Sequence, residues 1–348
     1  MAYPSLRHQN GFRVVKLFVM NLRPLGTTPY LVSPIGLGLA ALGRPGYINL
    51  GHAEDLERSY DLDAMQRRAH DLLGAAWAGG VRYFDAARSY GKAEAFLGTW
   101  LRAASPVGAV VGSKWGYTYT ADWRVDADTH EVKDHSAEHF DKQWLETQTH
   151  LGGYLNLYQI HSATLQTGVL EDEQVLARLA DIKAQGTAVG LSVSGPGQAQ
   201  TIVQALRTEV GGVRLFDTVQ ATWNPLEPAA GAALRLAYQE GLGVIVKEAL
   251  ANGRLTRRNR ELAFAPKLKT LIKQAERLQA TPEALAFAAA LRRPWADTVL
   301  SGATTRAQLE ANLGALNVRL DEEAEAALGV LAEASEAYWQ TRSQLAWR

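Results

Sequence analysis

Four side chains that can move or hold a proton stand where apolar runs end. In VRYFDAARSYGKAE (Val81 to Glu94), the run through Tyr83 and Phe84 closes on Asp85, and Tyr90 follows beside Gly91. AVVGSKW carries Lys114 near its end, and LYQIH ends in His161. A carboxylate at the end of a buried run is costly unless a partner meets it. Lys114 is the expected partner, with its ammonium also near the Tyr90 hydroxyl. A free phenol titrates near pH 10, and a cation within about 4–6 Å stabilises the phenolate. A phenol tuned downward in this way gives a proton to a carbonyl oxygen, or takes one from an alcohol, near neutral pH. His161 would hold that oxygen with a ring N–H.

Such a cluster needs a scaffold that brings strand ends together. Eight short β-branched runs supply it: Ile35 to Ala40, Val81 to Ala87, Ala109 to Trp115, Leu157 to His161, Ala188 to Ser194, Thr218 to Asn224, Gly243 to Ala249 and Thr298 to Ala303. Amphipathic stretches of helical period lie between them, among them Asp63 to Gly79, Glu171 to Gln185, Glu227 to Gly241 and Thr305 to Leu316. Near-continuous apolar strands belong in a parallel sheet covered by helices. Eight such units match an α/β fold of the (β/α)8 TIM-barrel class, whose strand C-termini converge on one mouth. A doubly wound open sheet is the rival. It would want G-x-G-x-x-G after an early strand, and GLGLAALG (Gly36 to Gly43) has other spacing. Ser192, Ser194, Gln220, Asn224, Lys247 and Glu248 are then further polar groups at strand ends, and a gathering of this kind marks a functional site. Asp321 to Ser335 reads as an extra C-terminal helix, and the aromatic tail from Ala337 to Arg348 is expected to pack.

Composition narrows the function. The 348 residues are 47% hydrophobic and 21% charged, with 36 basic and 36 acidic side chains and no Cys. A neutral chain without basic blocks gives no reason to expect nucleic acid or an anionic membrane as partner. The absence of Cys removes disulfides, thiolate metal sites and thiol nucleophiles. No apolar run reaches the roughly 20 residues that cross a bilayer. The patch VVKLFVM (Val14 to Met20) is broken by Lys16 and lacks a cleavage site, so a cytoplasmic protein is expected.

In their order, FDAARSYGKAEAFLG, GSKW and LYQIH resemble the elements FDTA…YG..E…G, K and H of the aldo-keto reductase superfamily. The resemblance runs from about Leu25 to Leu316. LGTTPYLVSPIGLG resembles the N-terminal β-hairpin and first strand, and LSGATTRAQLEANL the phosphate- and adenosine-binding segment after the last strand. It implies a tetrad of Asp85, Tyr90, Lys114 and His161, and NADPH or NADH bound extended across the barrel mouth. It further implies that Ser192 and Gln220 hold the nicotinamide carboxamide and that Leu250, Gly253 and Leu255 lie over the pyrophosphate. Gly302, Thr304, Gln308 and Asn312 match the adenosine segment, where backbone N–H groups at a helix start suit phosphate oxygens.

Three departures bear on the cofactor. Val193 replaces the Asn that usually follows the carboxamide-binding Ser. Lys247 stands where an aromatic residue usually stacks on the nicotinamide, and would instead pair with Glu248 or reach a phosphate. At the position of Gln308 some relatives carry an Arg for the 2′-phosphate. Arg306 is the cation left in Gly302 to Asn312, and Thr304 and Thr305 offer hydroxyls and free N–H groups. This inventory favours NADPH over NADH. Trp115, Tyr119 and Trp123 are candidate walls of a substrate pocket.

HSAEH (His135 to His139) fits an inverted zinc-protease pattern. Asp134 and Ser136 make it a helix start instead, so no metal is expected. Residues 1–19 have no counterpart in the resemblance and read as a dispensable extension to a single domain, 20–348. The chain is therefore expected to reduce a small carbonyl compound, or oxidise the alcohol. Two alternatives stay open: a cofactor-binding regulatory protein of the same fold, and a barrel lyase or isomerase using Lys114 as a Schiff-base amine.

Overall fold

The structure, a computed structural model, describes residues 20–347; the extension proposed for residues 1–19 lies outside them. Eight parallel strands close into a barrel: β1 (Ile35–Gly38), β2 (Tyr83–Asp85), β3 (Val110–Trp115), β4 (Leu155–Ala163), β5 (Ala188–Val193), β6 (Thr218–Thr222), β7 (Gly243–Lys247) and β8 (Thr298–Ser301). Each pairs with its neighbours in chain order, and β8 returns to β1 through Val299 opposite Ile35. All residues of β3, β5 and β6 are buried, which is why they read as near-continuous apolar runs.

The ring of helices comprises α1 (Leu62–Ala78), α2 (Ala93–Ala104), α3 (Ala137–His150), α4 (Glu173–Ala184), α5 (Gln198–Ala205), α6 (Gly231–Gln239), α7 (Pro282–Leu291) and α8 (Arg306–Gly314). α1 shows how sequence sets each one. Asp61 caps it by accepting from the Ala64 N–H at 2.8 Å, and Met65, Ala69, Leu72, Leu73 and Ala76 form its buried stripe. Trimming Leu73 to Ala there would cost about 2–5 kcal/mol. The expected N-terminal hairpin pairs Arg23–Pro24 with Leu31–Val32, and its Leu25 and Val32 pack with Tyr83, Leu157 and Ile245.

The C-terminal end departs from expectation. The helix read over Asp321 to Ser335 ends early, as α9 (Glu322–Gly329), and most of the aromatic tail forms a second helix, α10 (Ser335–Ser343). Local propensity favours one long helix, but tertiary contacts at Glu333 win. Its N–H donates to the Leu226 carbonyl at 2.9 Å, and its carboxylate holds Arg254 at 2.8 Å and Lys267 at 2.9 Å. The break turns α10 across the barrel mouth. Among the described residues, no helix is long and apolar enough to cross a membrane.

Candidate active site

The ends of β2, β3 and β4 place the predicted tetrad together. Asp85 and Lys114 are buried, with Nζ to Oδ2 at 2.5 Å, and Nζ also donates to the Ala86 carbonyl at 2.8 Å. The other Asp85 oxygen accepts from Gln220 Nε2 at 2.9 Å and from the Tyr83 hydroxyl at 3.2 Å. The carboxylate is thereby fully partnered, as burial demands. Tyr90 Oη lies 3.4 Å from His161 Nε2, and the Lys114 ammonium lies 4.9 Å from the Tyr90 ring centre. A bulge in β4 between Ile160 and Ala163, with Ser162 at φ 52°, borders His161. Left-handed backbone at a non-Gly residue costs energy that surrounding contacts must offset. Here the Ser162 N–H donates to Ser192 Oγ at 2.8 Å.

Protonation differs from the expected tuning. Burial, then Asp85, pushes the Tyr90 phenol well above its usual value, and Arg44 is the cation that opposes them most. The phenol is therefore not drawn toward neutrality but kept protonated, ready to donate. Burial, then Lys114 and Lys247, holds His161 well below its usual value, so its ring is neutral. Its Nδ1 meets the Ser89 hydroxyl at 3.4 Å.

Both groups face a cavity of ≈ 520 Å³ that runs from Asp85 across the mouth to the start of α8. Gln220, Leu250 and Gly253 line its middle; Ser192 and Leu255 are buried just behind it. Lys247 lines it too, but its hydrogen bond is not to Glu248. Nζ donates to Thr222 Oγ1 at 3.1 Å, and Glu248 belongs to Arg342 of α10 at 2.5 Å. Burial pushes the Lys247 ammonium down to about 8, with Glu248 opposing. Burial raises the Glu248 carboxyl, but Arg342 and then Lys247 outweigh it and hold the group at about 2.

At the far end, Gly302, Thr304, Gln308 and Asn312 line the cavity as expected, but Arg306 does not. It is the first residue of α8 and is exposed. The N–H groups expected free there are taken, because Gln308 Oε1 accepts from Thr304 N at 2.8 Å and Thr305 N at 3.3 Å. The Gln308 amide donates to Asp55 at 2.7 Å, and Arg258 grips the same carboxylate at 2.6 and 2.5 Å. Asp55 and Arg258 were missed in the sequence, as were Arg44, Glu131, Arg342 and Trp347 on the cavity wall. No motif announces them; each arrives on a loop, a short helix or a hairpin strand outside the barrel.

The aromatic candidates are also corrected. Trp115 is fully buried, edge-on to Phe140 at 4.9 Å, and lines no part of the cavity. Tyr119 and Trp123 border a separate small cavity with Arg88 and Lys142. The cause is an unforeseen hairpin, Tyr117–Tyr119 against Glu131–Lys133, which turns Tyr117 rather than Tyr119 toward the mouth. At HSAEH, Ser136 caps α3 by accepting from the His139 N–H at 3.3 Å.

A family model described as the aldo/keto reductase family matches residues 34–331. The chain is 26% identical to the aldo-keto reductase Str7 of Strobilurus tenacellus over 335 residues, covering 88% of this chain and 90% of that one. It is 25% identical to the NADH-specific methylglyoxal reductase of Escherichia coli strain K12 over 339 residues, or 90% and 98% of the two. The holo form of an aldo-keto reductase from Bacillus halodurans superposes with a TM-score of 0.70 at 21% identity, over 90% of this chain and 97% of that one. At that identity the likeness speaks for the fold alone.

Proposed function

The chain belongs to the aldo/keto reductase family, and from that premise we propose that it reduces small aldehydes or ketones with NADPH or NADH, or runs the reverse oxidation, with Tyr90 exchanging the proton. The observation that carries this reading is the convergence of phenol, neutral imidazole and a paired ammonium at one end of a cavity.

The residues present fit a nicotinamide dinucleotide. Asn252 lines the cavity with a buried, unpartnered Oδ1, an acceptor waiting for a ligand hydroxyl or amine. Gly302 leaves open space, with only Asn49 within 4 Å of where a side chain would start. We assign Gln220 and Ser192 to the carboxamide, Leu250, Gly253 and Leu255 to the pyrophosphate, and Thr304, Gln308 and Asn312 to the adenosine. When bound, the reduced cofactor supplies a hydride to the carbonyl carbon. The protein's part is proton and orientation. His161 donates a hydrogen bond to the carbonyl oxygen, and Tyr90 passes its proton to the same atom. Lys114 and Arg44 stabilise the phenolate left behind.

We retain NADPH as the preferred cofactor, read by Arg258 and Thr304 in place of Arg306. Asp55 already neutralises Arg258, so the preference should be modest. A related reductase is named NADH-specific, and the test must therefore include both cofactors. We also propose that residues 20–348 form the functional unit, acting in the cytoplasm on a small-molecule substrate, so that a chain begun at Met20 keeps full activity. The deciding assay follows oxidation of NADPH and of NADH with short aldehydes, diketones and sugars. Turnover that Tyr90→Phe abolishes supports the reading. Tight cofactor binding with no turnover on any substrate would make the protein a cofactor sensor instead.

A further inference from the structure

Arg44 belongs to no part of the expected tetrad, yet it is the largest polar side chain buried beside Tyr90, 2% exposed. Its guanidinium carbon lies 5.1 Å from the centre of the Tyr90 ring, 5.2 Å from that of Tyr47 and 4.7 Å from that of Trp347. One guanidinium nitrogen, Nη1, donates both to the Ser89 carbonyl at 3.0 Å and to Glu131 at 2.8 Å. Ser89 immediately precedes Tyr90, so the contact fixes the backbone that aims the phenol. The two loops meet too closely for side chains. A Cβ at Gly43 would overlap the Tyr90 carbonyl oxygen, and one at Gly91, φ 59°, would overlap that of Gly43. Lys92 N–H donates to the Gly43 carbonyl at 2.7 Å, closing the junction.

We infer that Arg44 is a positioning residue for the proton-transfer step: it holds the Tyr90 loop through Ser89 and supplies, together with Lys114, the positive charge that stabilises the Tyr90 phenolate. This rests on Tyr90 being the proton donor. Stacking over an aromatic face is what a planar guanidinium does and an ammonium does less well. Trp347 packs on the same guanidinium and is itself stacked on His130 at 4.3 Å, so the C-terminal tail helps bury this charge. Charge acts more strongly where water is excluded.

The groups around Tyr90 set the sign of each test. Asp85 on β2, Glu131 on the hairpin and Glu248 after β7 disfavour the phenolate, whereas Arg44 favours it. Lys114 on β3 lies against the ring, His161 on β4 is neutral, and the Tyr47 phenol is pushed up by burial. Removing Arg44 should therefore make the phenol harder to ionise, and neutralising Glu131 should make it easier.

The test uses the alcohol product and follows the rate of oxidation against pH, where Tyr90 must act as the base. Arg44→Met should lower kcat about 5- to 30-fold, the scale of a desolvated cation–aromatic contact, and move the rising limb to higher pH. Arg44→Lys should recover part of the rate and move the limb part of the way back. Glu131→Gln, at a partly exposed site that tolerates change, should move the limb to lower pH. NADPH affinity from fluorescence titration should stay near wild type in all three. The inference is overturned if neither Arg44→Met nor Glu131→Gln moves the limb, or if Arg44→Met merely loses rate in step with cofactor affinity and melting temperature. Should Arg44→Met not fold, a limb unmoved or moved upward in Glu131→Gln overturns it alone. Full activity in Tyr90→Phe would instead remove the reading on which it rests.

Discussion

The two ends of the cavity are held by different means. At the tetrad end, the charged pair of Asp85 and Lys114 joins neighbouring strands and is sealed from water. At the α8 end, Asp55 reaches Gln308 across 253 residues and Arg258 across 203, from a short helix and a loop. Arg258 there is 41% exposed, against 0% for Lys114. The first end is rigid and intolerant because strands fix each group and no solvent can replace a lost partner. The second is a surface clasp, strong in contacts but screened, and it can exchange one partner for another. Chemistry needs the former and adaptable ligand binding tolerates the latter.

Substitutions at the tetrad should show the larger effects. Lys114→Met leaves Asp85 buried with only neutral partners, so it should abolish turnover and cost about 3–5 kcal/mol in denaturant unfolding. A variant as stable as wild type would mean that Asp85 finds water. Tyr90→Phe removes a hydroxyl and no charge pair. Its kcat should fall about 100-fold or more with NADPH affinity and melting temperature unchanged; retention of half the activity would exclude Tyr90 as the acid.

The same contrast explains what could be read from the sequence. Asp85, Lys114 and His161 were legible because a strand end is a local signal, and eight strands in order imply one mouth. The phenol's environment was not, because burial and then Asp85 act on Tyr90 more strongly than the foreseen cation does. Arg306 was misplaced because a count of charges in one segment ignores which helix face each occupies. Asp55 and Arg258 were invisible for the complementary reason, since neither segment refers to the other. Glu333 broke the C-terminal helix through partners in Arg254 and Lys267 that no local propensity contains. Residues that act within one strand or its successor were readable; those that act across the mouth were not.

Between the two ends stands Arg342, brought by α10 to Glu248 at 2.5 Å with side-chain exposures of 25% and 7%. Arg342→Ala should destabilise by about 1.5–3 kcal/mol, the scale of hydrogen bonds to charged groups. It should also release α10, detectable as faster amide exchange at Tyr338 and Trp339. Stability loss without faster exchange there would mean that the Tyr338 hydroxyl, accepting from Asn224 at 3.1 Å, and the Ser335 hydroxyl, donating to Glu227 at 3.0 Å, hold the helix unaided.

The α8 end offers a smaller, two-signed effect. Arg258→Ala removes the cation proposed to read the 2′-phosphate and should raise KM for NADPH about 10-fold while barely changing NADH, one charge-assisted contact weakened by exposure. Asp55→Asn frees Arg258 and should shift the NADPH:NADH ratio the other way. Equal changes for both cofactors in both variants would assign the clasp to loop closure rather than to reading the phosphate.

The smallest effect concerns Lys247, half-buried in the wall between the two ends. Its ammonium is pushed down to about 8 from an ordinary 10.5, chiefly by burial. Below pH 8 both folded and unfolded chains carry the proton, and the folded state bears the full cost of the buried charge. Between about 8 and 10.5 the folded protein has released it and the unfolded chain has not. The unfolded state then binds more protons, so stability rises with pH through that window. The slope is bounded by about 1.4 kcal/mol per pH unit for one proton, and water in the cavity reduces it. Lys247→Met removes both the cost and the slope. The cofactor-free variant should melt higher than wild type at pH 7, and the gap should narrow by pH 10. Parallel melting curves across that range would show that cavity water or the Thr222 hydroxyl already solvates the ammonium, and that the middle of the cavity behaves like its exposed end.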